Sequence, residues 1–127
     1  MENKKIVEWI LRIAVAGEFF GHGVFALQGK EQWIGWFANF GISDPITAAQ
    51  LLFAVGIIDV SVAFIVLVKP IRAALLWAVL WGFWTAILRP LVDMPIWDFV
   101  ERSANWGAPL ALLFTLGWPK SFKEWFR

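Results

Sequence analysis

Apolar residues run almost unbroken from Ile6 to Leu27, from Ile46 to Val68 and from Ile71 to Leu88, and more briefly from Trp106 to Trp118. An α-helix needs about 20 such residues to cross a hydrocarbon core of roughly 30 Å. The first three runs meet that length. The fourth meets it only if its helix begins near Asp98, which places Glu101, Arg102 and Asn105 on its first turns. The pattern predicts an all-α, integral membrane four-helix bundle, one domain over 1–127, with spans at about 6–27, 46–68, 71–88 and 98–118.

The breaks between the runs agree with that division. Ser43-Asp44-Pro45 is a helix start, a capping side chain followed by proline at the first helical position. Lys69-Pro70 and Arg89-Pro90 bound the third span, and Gly117 and Pro119 end the fourth. So short a connection as Lys69-Pro70 predicts that the second and third spans are antiparallel neighbours. Between the first two spans, Trp33, Trp36, Phe37 and Phe40 recur at helical spacing and Gly41 follows as a stop. That spacing predicts a short amphipathic helix lying in the membrane interface.

Composition strengthens the membrane reading. Sixty per cent of the 127 residues are hydrophobic against 17% charged, where soluble domains run nearer 45–50% apolar, and mean hydropathy is +0.67. Lys4 and Lys5 before an apolar run, with Ala14-Val15-Ala16 beyond it, mimic a secretory leader. Glu8 and Arg12 lie inside that run, so it is expected to be retained as the first helix. With four spans, Lys4, Lys5, Lys69, Arg72, Lys120, Lys123 and Arg127 share one side and Lys30, Arg89 and Arg102 the other. The positive-inside rule then puts both termini in the cytoplasm, in a bacterial inner (plasma) membrane.

Charge and cysteine usage exclude several function classes. A net charge of +1 leaves no basic face for nucleic acid. The absence of cysteine rules out disulfides, thiolate metal sites and thiol redox chemistry within this chain. The single histidine disfavours haem, whose bis-histidine ligation would need an oligomer, and structural zinc lacks ligands. Ser61 and Ser103 lie in no nucleophile motif.

Candidate chemistry lies in the charges at membrane depth, each of which costs at least about 2.5 kcal/mol unless paired or wetted. Glu18 and His22 are four apart on one face of the first helix. Arg89 ends the third helix on the same side, and Trp81, Thr85 and Arg89 share one of its faces. With Glu101, Arg102 and Asn105 they are expected to converge near the outer leaflet as a ligand site or a set of self-neutralising charges. Arg12 and Asp59 lie deeper and are expected to form a structural ion pair between the first two helices. Gly17-x-x-x-Gly21 suits close helix packing, inside the bundle or in a homo-oligomer, with the internal use favoured by Glu18 and His22 beside it. Quinone suits the site best: its carbonyls accept from His or Arg, its reduction needs protons from His or Glu, and its ring can lie against tryptophan.

Arg12, Phe20-Gly21-His22-Gly23, Asp59 and Arg72 together resemble the DoxX-like family of small four-helix membrane proteins, over about Arg12 to Pro119. Asp59 stands where glutamate is more usual in the family, and Ser61 and Val62 where a glycine pair is common. The resemblance implies a membrane subunit of an oxidoreductase system, similar to that of a thiosulfate:quinone oxidoreductase. Any thiosulfate chemistry would then need a redox partner subunit, since this chain has no cysteine to carry sulfur. The alternatives from other classes are a non-catalytic scaffold whose charges only lock the bundle, and a small lipophile carrier.

Overall fold

The computed structural model describes residues 2–127, and every ordered element in it is helical. The long helices are α1 (Glu2–Leu27), α3 (Pro45–Val68) and α4 (Arg72–Leu91); these three are long and apolar enough to cross a membrane. A short α2 (Glu31–Trp36) continues into a 3-10 turn over Phe37–Phe40, in the segment where the tryptophan spacing predicts an amphipathic helix. Asp44 caps α3, accepting from the Ile46 and Thr47 amides at 3.3 and 3.4 Å and from the Thr47 hydroxyl at 2.7 Å, with Pro45 at the first helical position. The hydroxyl first, and then the Ile46 amide, hold the Asp44 carboxyl below the usual carboxylate range.

The fourth run is not one helix over 98–118. It is α5 (Ile96–Val100) and α6 (Ser103–Leu116), separated by a turn at Glu101 and Arg102. At 14 residues, α6 reaches only about 21 Å at 1.5 Å per residue, short of a bilayer core. Local bonds hold the break. Arg102 folds back on the Asp98 carbonyl at 2.9 Å, and the Ser103 hydroxyl donates to the Val100 carbonyl at 2.7 Å. Gly117, at φ 96°, ends α6 as its position predicts.

The helices form two clasped hairpins. Helix α1 packs most extensively on α3, and α4 on α6; α1 also lies along α6, whereas α3 and α4 barely touch. Chain neighbours across Lys69-Pro70 are therefore not close packing partners, contrary to the sequence expectation. The reason is that both close crossings lie elsewhere, at glycines. A Cβ on Gly23 would meet the Val60 side chain at 2.7 Å and the Gly56 carbonyl at 3.1 Å, so α1 and α3 touch backbone to backbone. A Cβ on Gly82 would lie 3.0 Å from the Asn105 carbonyl carbon and nearer still to its oxygen. Pro109 has no N–H to bond that oxygen, which leaves the Asn105 carbonyl free to press on α4. Gly17 and Gly21 have nothing within 4 Å of a Cβ position, so the Gly17-x-x-x-Gly21 pair is not the internal contact.

Each hairpin is closed at the termini end by an arginine. The last four carbonyls of a helix have no partner within it. On α3 the Ile65 carbonyl takes the Lys69 amide, and Arg12 takes the other three: Val66 at 3.2 Å, Leu67, and Val68 at 3.1 Å. Arg72 does the same for α6, donating to Leu116 at 2.6 Å and Gly117 at 2.8 Å, and reaching the Arg127 carbonyl at 3.2 Å.

The main core cluster lies towards the same end. Val15, Ala16 and Phe19 from α1 meet Val62, Ala63 and Val66 from α3, Leu75 and Ala78 from α4, and Leu112 and Leu113 from α6. Towards the α2 end nothing fills the space between α3 and α4, and that gap is the candidate site.

Candidate functional site

A cavity of about 280 Å³ occupies the gap. Its α3 wall is Leu52, Val55 and Asp59, and its α4 wall is Trp81, Trp84, Thr85, Leu88 and Arg89. The connection after α1 forms the roof, through Trp33, Trp36, Phe37, Phe40 and Ile42, with His22 reaching in from α1. Small-molecule sites usually run from about 300 to 1,000 Å³, mostly apolar with a few convergent polar groups. This one sits at the lower edge of that range, the size of a ring rather than of a long molecule.

The aromatic wall follows from helical spacing. Trp77 and Trp81, one turn apart on α4, stack at 5.5 Å with planes 9° apart. Phe40 from the roof meets Trp84 at 6.0 Å, and Trp33 meets both His22 at 5.6 Å and Trp36 at 6.3 Å. The guanidinium of Arg89 lies 5.0 Å from the centre of the Trp36 ring, a cation–π contact that pins the roof to α4.

Four polar side chains face this apolar space: His22, Asp59, Thr85 and Arg89. Asp59 is 3% exposed and Arg89 4%. Arg89 donates through one nitrogen to the Thr85 carbonyl, one turn below it, while its Nε has no partner. Thr85 donates its hydroxyl to the Gly82 carbonyl at 3.2 Å, so only its oxygen is free. Asp59 Oδ1 has no partner at all. Buried polar groups normally find one, and each that does not calls for an explanation.

The sequence-predicted residues divide. His22, Trp81, Thr85 and Arg89 line the cavity together. Glu18 does not line it; it is half-buried one turn below His22, and the α1–α3 register places it within a turn of the Asp59 level. Glu101, Arg102 and Asn105 do not line it either. Arg102 is held by Glu101 at 3.0 Å and by Asp98 at 3.9 Å, and the backbone of Asn105 packs against Gly82. The α5–α6 break turns these residues onto themselves.

The Arg12–Asp59 pair does not form. Arg12 is occupied by the α3 carbonyls, by Glu8 at 3.7 Å and by the Trp9 ring at 3.9 Å. Its partners begin at Val66, seven residues and so about 10 Å along the helix from Asp59. Equal estimated depth does not make two residues level when helices cross in a fixed register.

Sequence reasoning missed Asp59 as a cavity residue, having assigned it to Arg12. It also missed the roof: the spacing of Trp33, Trp36, Phe37 and Phe40 was legible, but not that these rings cover a cavity. Among the described residues no cluster of three metal-ligating side chains occurs. No known protein family, curated protein or solved structure is matched by this chain.

Proposed function

We propose that this protein is a multi-pass membrane protein that binds a lipophilic, quinone-like ring in the cavity between α3 and α4, as the membrane subunit of an oxidoreductase system. The observation that carries the reading is a ring-sized, tryptophan-walled gap into which His22, Asp59 and Arg89 project. Arg89 and His22 hold the ring oxygen at the roof end, the tryptophans take the ring's faces, and Glu18 stands behind His22 on the same helix face to exchange protons.

The topology that goes with this function has four crossings, the fourth being the broken α5–α6 segment. Both termini and the α3–α4 junction face the cytoplasm, where the basic residues concentrate, and the aromatic roof lies at the outer leaflet of a bacterial inner membrane. The resemblance to DoxX-like proteins supports this assignment, and the missing thiol chemistry falls to a partner subunit. A scaffold role is the second reading, favoured by Arg12, Arg72 and Arg102, which spend their donors inside the protein.

A titration separates the two. A short-tailed quinone added to the purified protein in micelles is expected to quench tryptophan fluorescence saturably, and His22→Ala is expected to weaken that binding. Absence of saturable quenching in the wild-type protein would leave the scaffold reading in place.

A further inference from the structure

The two orphaned groups of the cavity are of opposite kind and sit at opposite ends. Asp59 is deep in the gap, and Arg89 is at the roof. On Asp59 the unpartnered atom is a carboxyl oxygen; on Arg89 it is an N–H. We infer that the cavity is built for a ring carrying a hydroxyl donor at its deep end and an oxygen acceptor at its roof end, with Asp59 as the group that reads the donor. The inference rests on the ring-binding reading above and deepens it: it specifies which way round the ligand lies and which substituent it must carry.

Among the described residues no side chain, His22 and Glu18 included, donates to Asp59 Oδ1. Arg12 is occupied by the end of α3. The Ser61 hydroxyl, two residues from Asp59, turns back to the Ile57 carbonyl at 2.7 Å. The Thr85 hydroxyl, across the gap, is given to Gly82. A buried carboxyl without a partner costs several kcal/mol, and such groups are normally matched by a hydrogen bond. A hydroxyl on a bound ring supplies such a match.

The spacing suits a single ring. Taking the two ends of the 69–71 junction as level, Asp59 lies nine residues up α3 from Val68, and Arg89 lies seventeen residues up α4 from Arg72. At 1.5 Å per residue the two are about 12 Å apart along the bundle axis. The Arg89 guanidinium hangs down one turn, to the Thr85 carbonyl, which removes about half of that distance. The remaining roughly 6 Å is the axial component alone; a six-membered ring with oxygens at both poles and a hydrogen bond of about 2.8 Å at each needs about 11 Å, so the ring lies obliquely across the gap. Trp81 and Trp84 then lie beside the ring, and any tail leaves through the open seam between α3 and α4.

The test compares three probes on the full-length protein in detergent micelles: an alkyl hydroquinone kept reduced, its dimethyl ether, and the matching quinone. The absence of cysteine lets a strong reductant be present without harm to the chain. Binding is read by tryptophan fluorescence. A hydrogen bond contributes about 0.5–1.5 kcal/mol, so the hydroquinone is expected to bind about two- to tenfold tighter than the ether. Asp59→Leu, which replaces an unpartnered buried carboxyl with an apolar group and so should keep the fold, is expected to bring that ratio to about one. Equal binding of hydroquinone and ether by the wild-type protein overturns the inference and leaves the ring-binding reading standing; so does a ratio that survives in Asp59→Leu. Failure of all three probes to bind overturns both.

Discussion

Gly82→Ala is a direct test of how the second hairpin is held. The new Cβ would lie 3.0 Å from the carbonyl carbon of Asn105 and nearer to its oxygen, where ordinary contact begins at about 3.5 Å. Both obstacles are backbone, so no rotamer change can relieve them, and α6 must retreat by about 1 Å. A gap of that size forfeits a quarter to a half of the dispersion well of each atom pair across it. Over about 20 such pairs, at 0.1–0.2 kcal/mol each, the loss is about 1 kcal/mol. Overpacking strain of about 1–3 kcal/mol adds to it. The usual helix-propensity gain of Gly→Ala does not compensate, because helices separated in a bilayer or micelle remain helical. A net cost of about 2–4 kcal/mol is therefore expected, a roughly thirty- to seven-hundredfold shift in the unfolding equilibrium. The assay is reversible unfolding in mixed non-ionic and SDS micelles followed by tryptophan fluorescence. Gly17→Ala is the control: nothing lies within 4 Å of its Cβ, and its effect should stay within about 0.5 kcal/mol. If the two variants unfold together, the backbone contact between α4 and α6 is not what holds that hairpin.

Arg12→Met removes the donor to three α3 carbonyls; a loss of about 2–3 kcal/mol is expected in the same unfolding assay, with Arg12→Lys recovering only part because one ammonium cannot serve three acceptors. Asp44 is held below its usual carboxylate range by Thr47 and Ile46; its stabilisation is therefore full above the unfolded pKa of about 3.9 and is lost as pH falls through the lower folded value. Asp44→Ala should flatten the acid limb of stability against pH, and an unchanged limb would show that the cap contributes nothing there. Because the chain has no cysteine, Asn39→Cys and Ser121→Cys report topology cleanly: a membrane-impermeant thiol reagent should label the first from outside intact cells and the second only after lysis, and the reverse order would invert the proposed orientation.

The long helices were legible because their stops are local. Ser43-Asp44-Pro45 and Lys69-Pro70 act through their own backbone geometry, and α3 and α4 begin and end within a few residues of the expected limits. The fourth run was misread because its break depends on bonds from Arg102 and Ser103 back to the preceding turn, which apolar counting does not register. The site was legible where one helix face sufficed, as for Trp81, Thr85 and Arg89. It was not legible where it depended on register between helices. Arg12 and Asp59 are matched in sign and in estimated depth, yet the Gly23–Gly56 crossing fixes α1 and α3 so that Arg12 meets the end of α3 instead.

The molecule resembles a book whose spine is the α1–α6 contact and whose fore-edge is the seam between α3 and α4. Each cover is held shut by its own arginine, so parting the fore-edge slightly breaks neither clasp. On the ring-binding proposal, a guest admitted that way would leave its tail among the lipids, where the protein cannot measure it. Selection would then fall wholly on the head, and homologous molecules differing only in isoprenoid length would compete as equals.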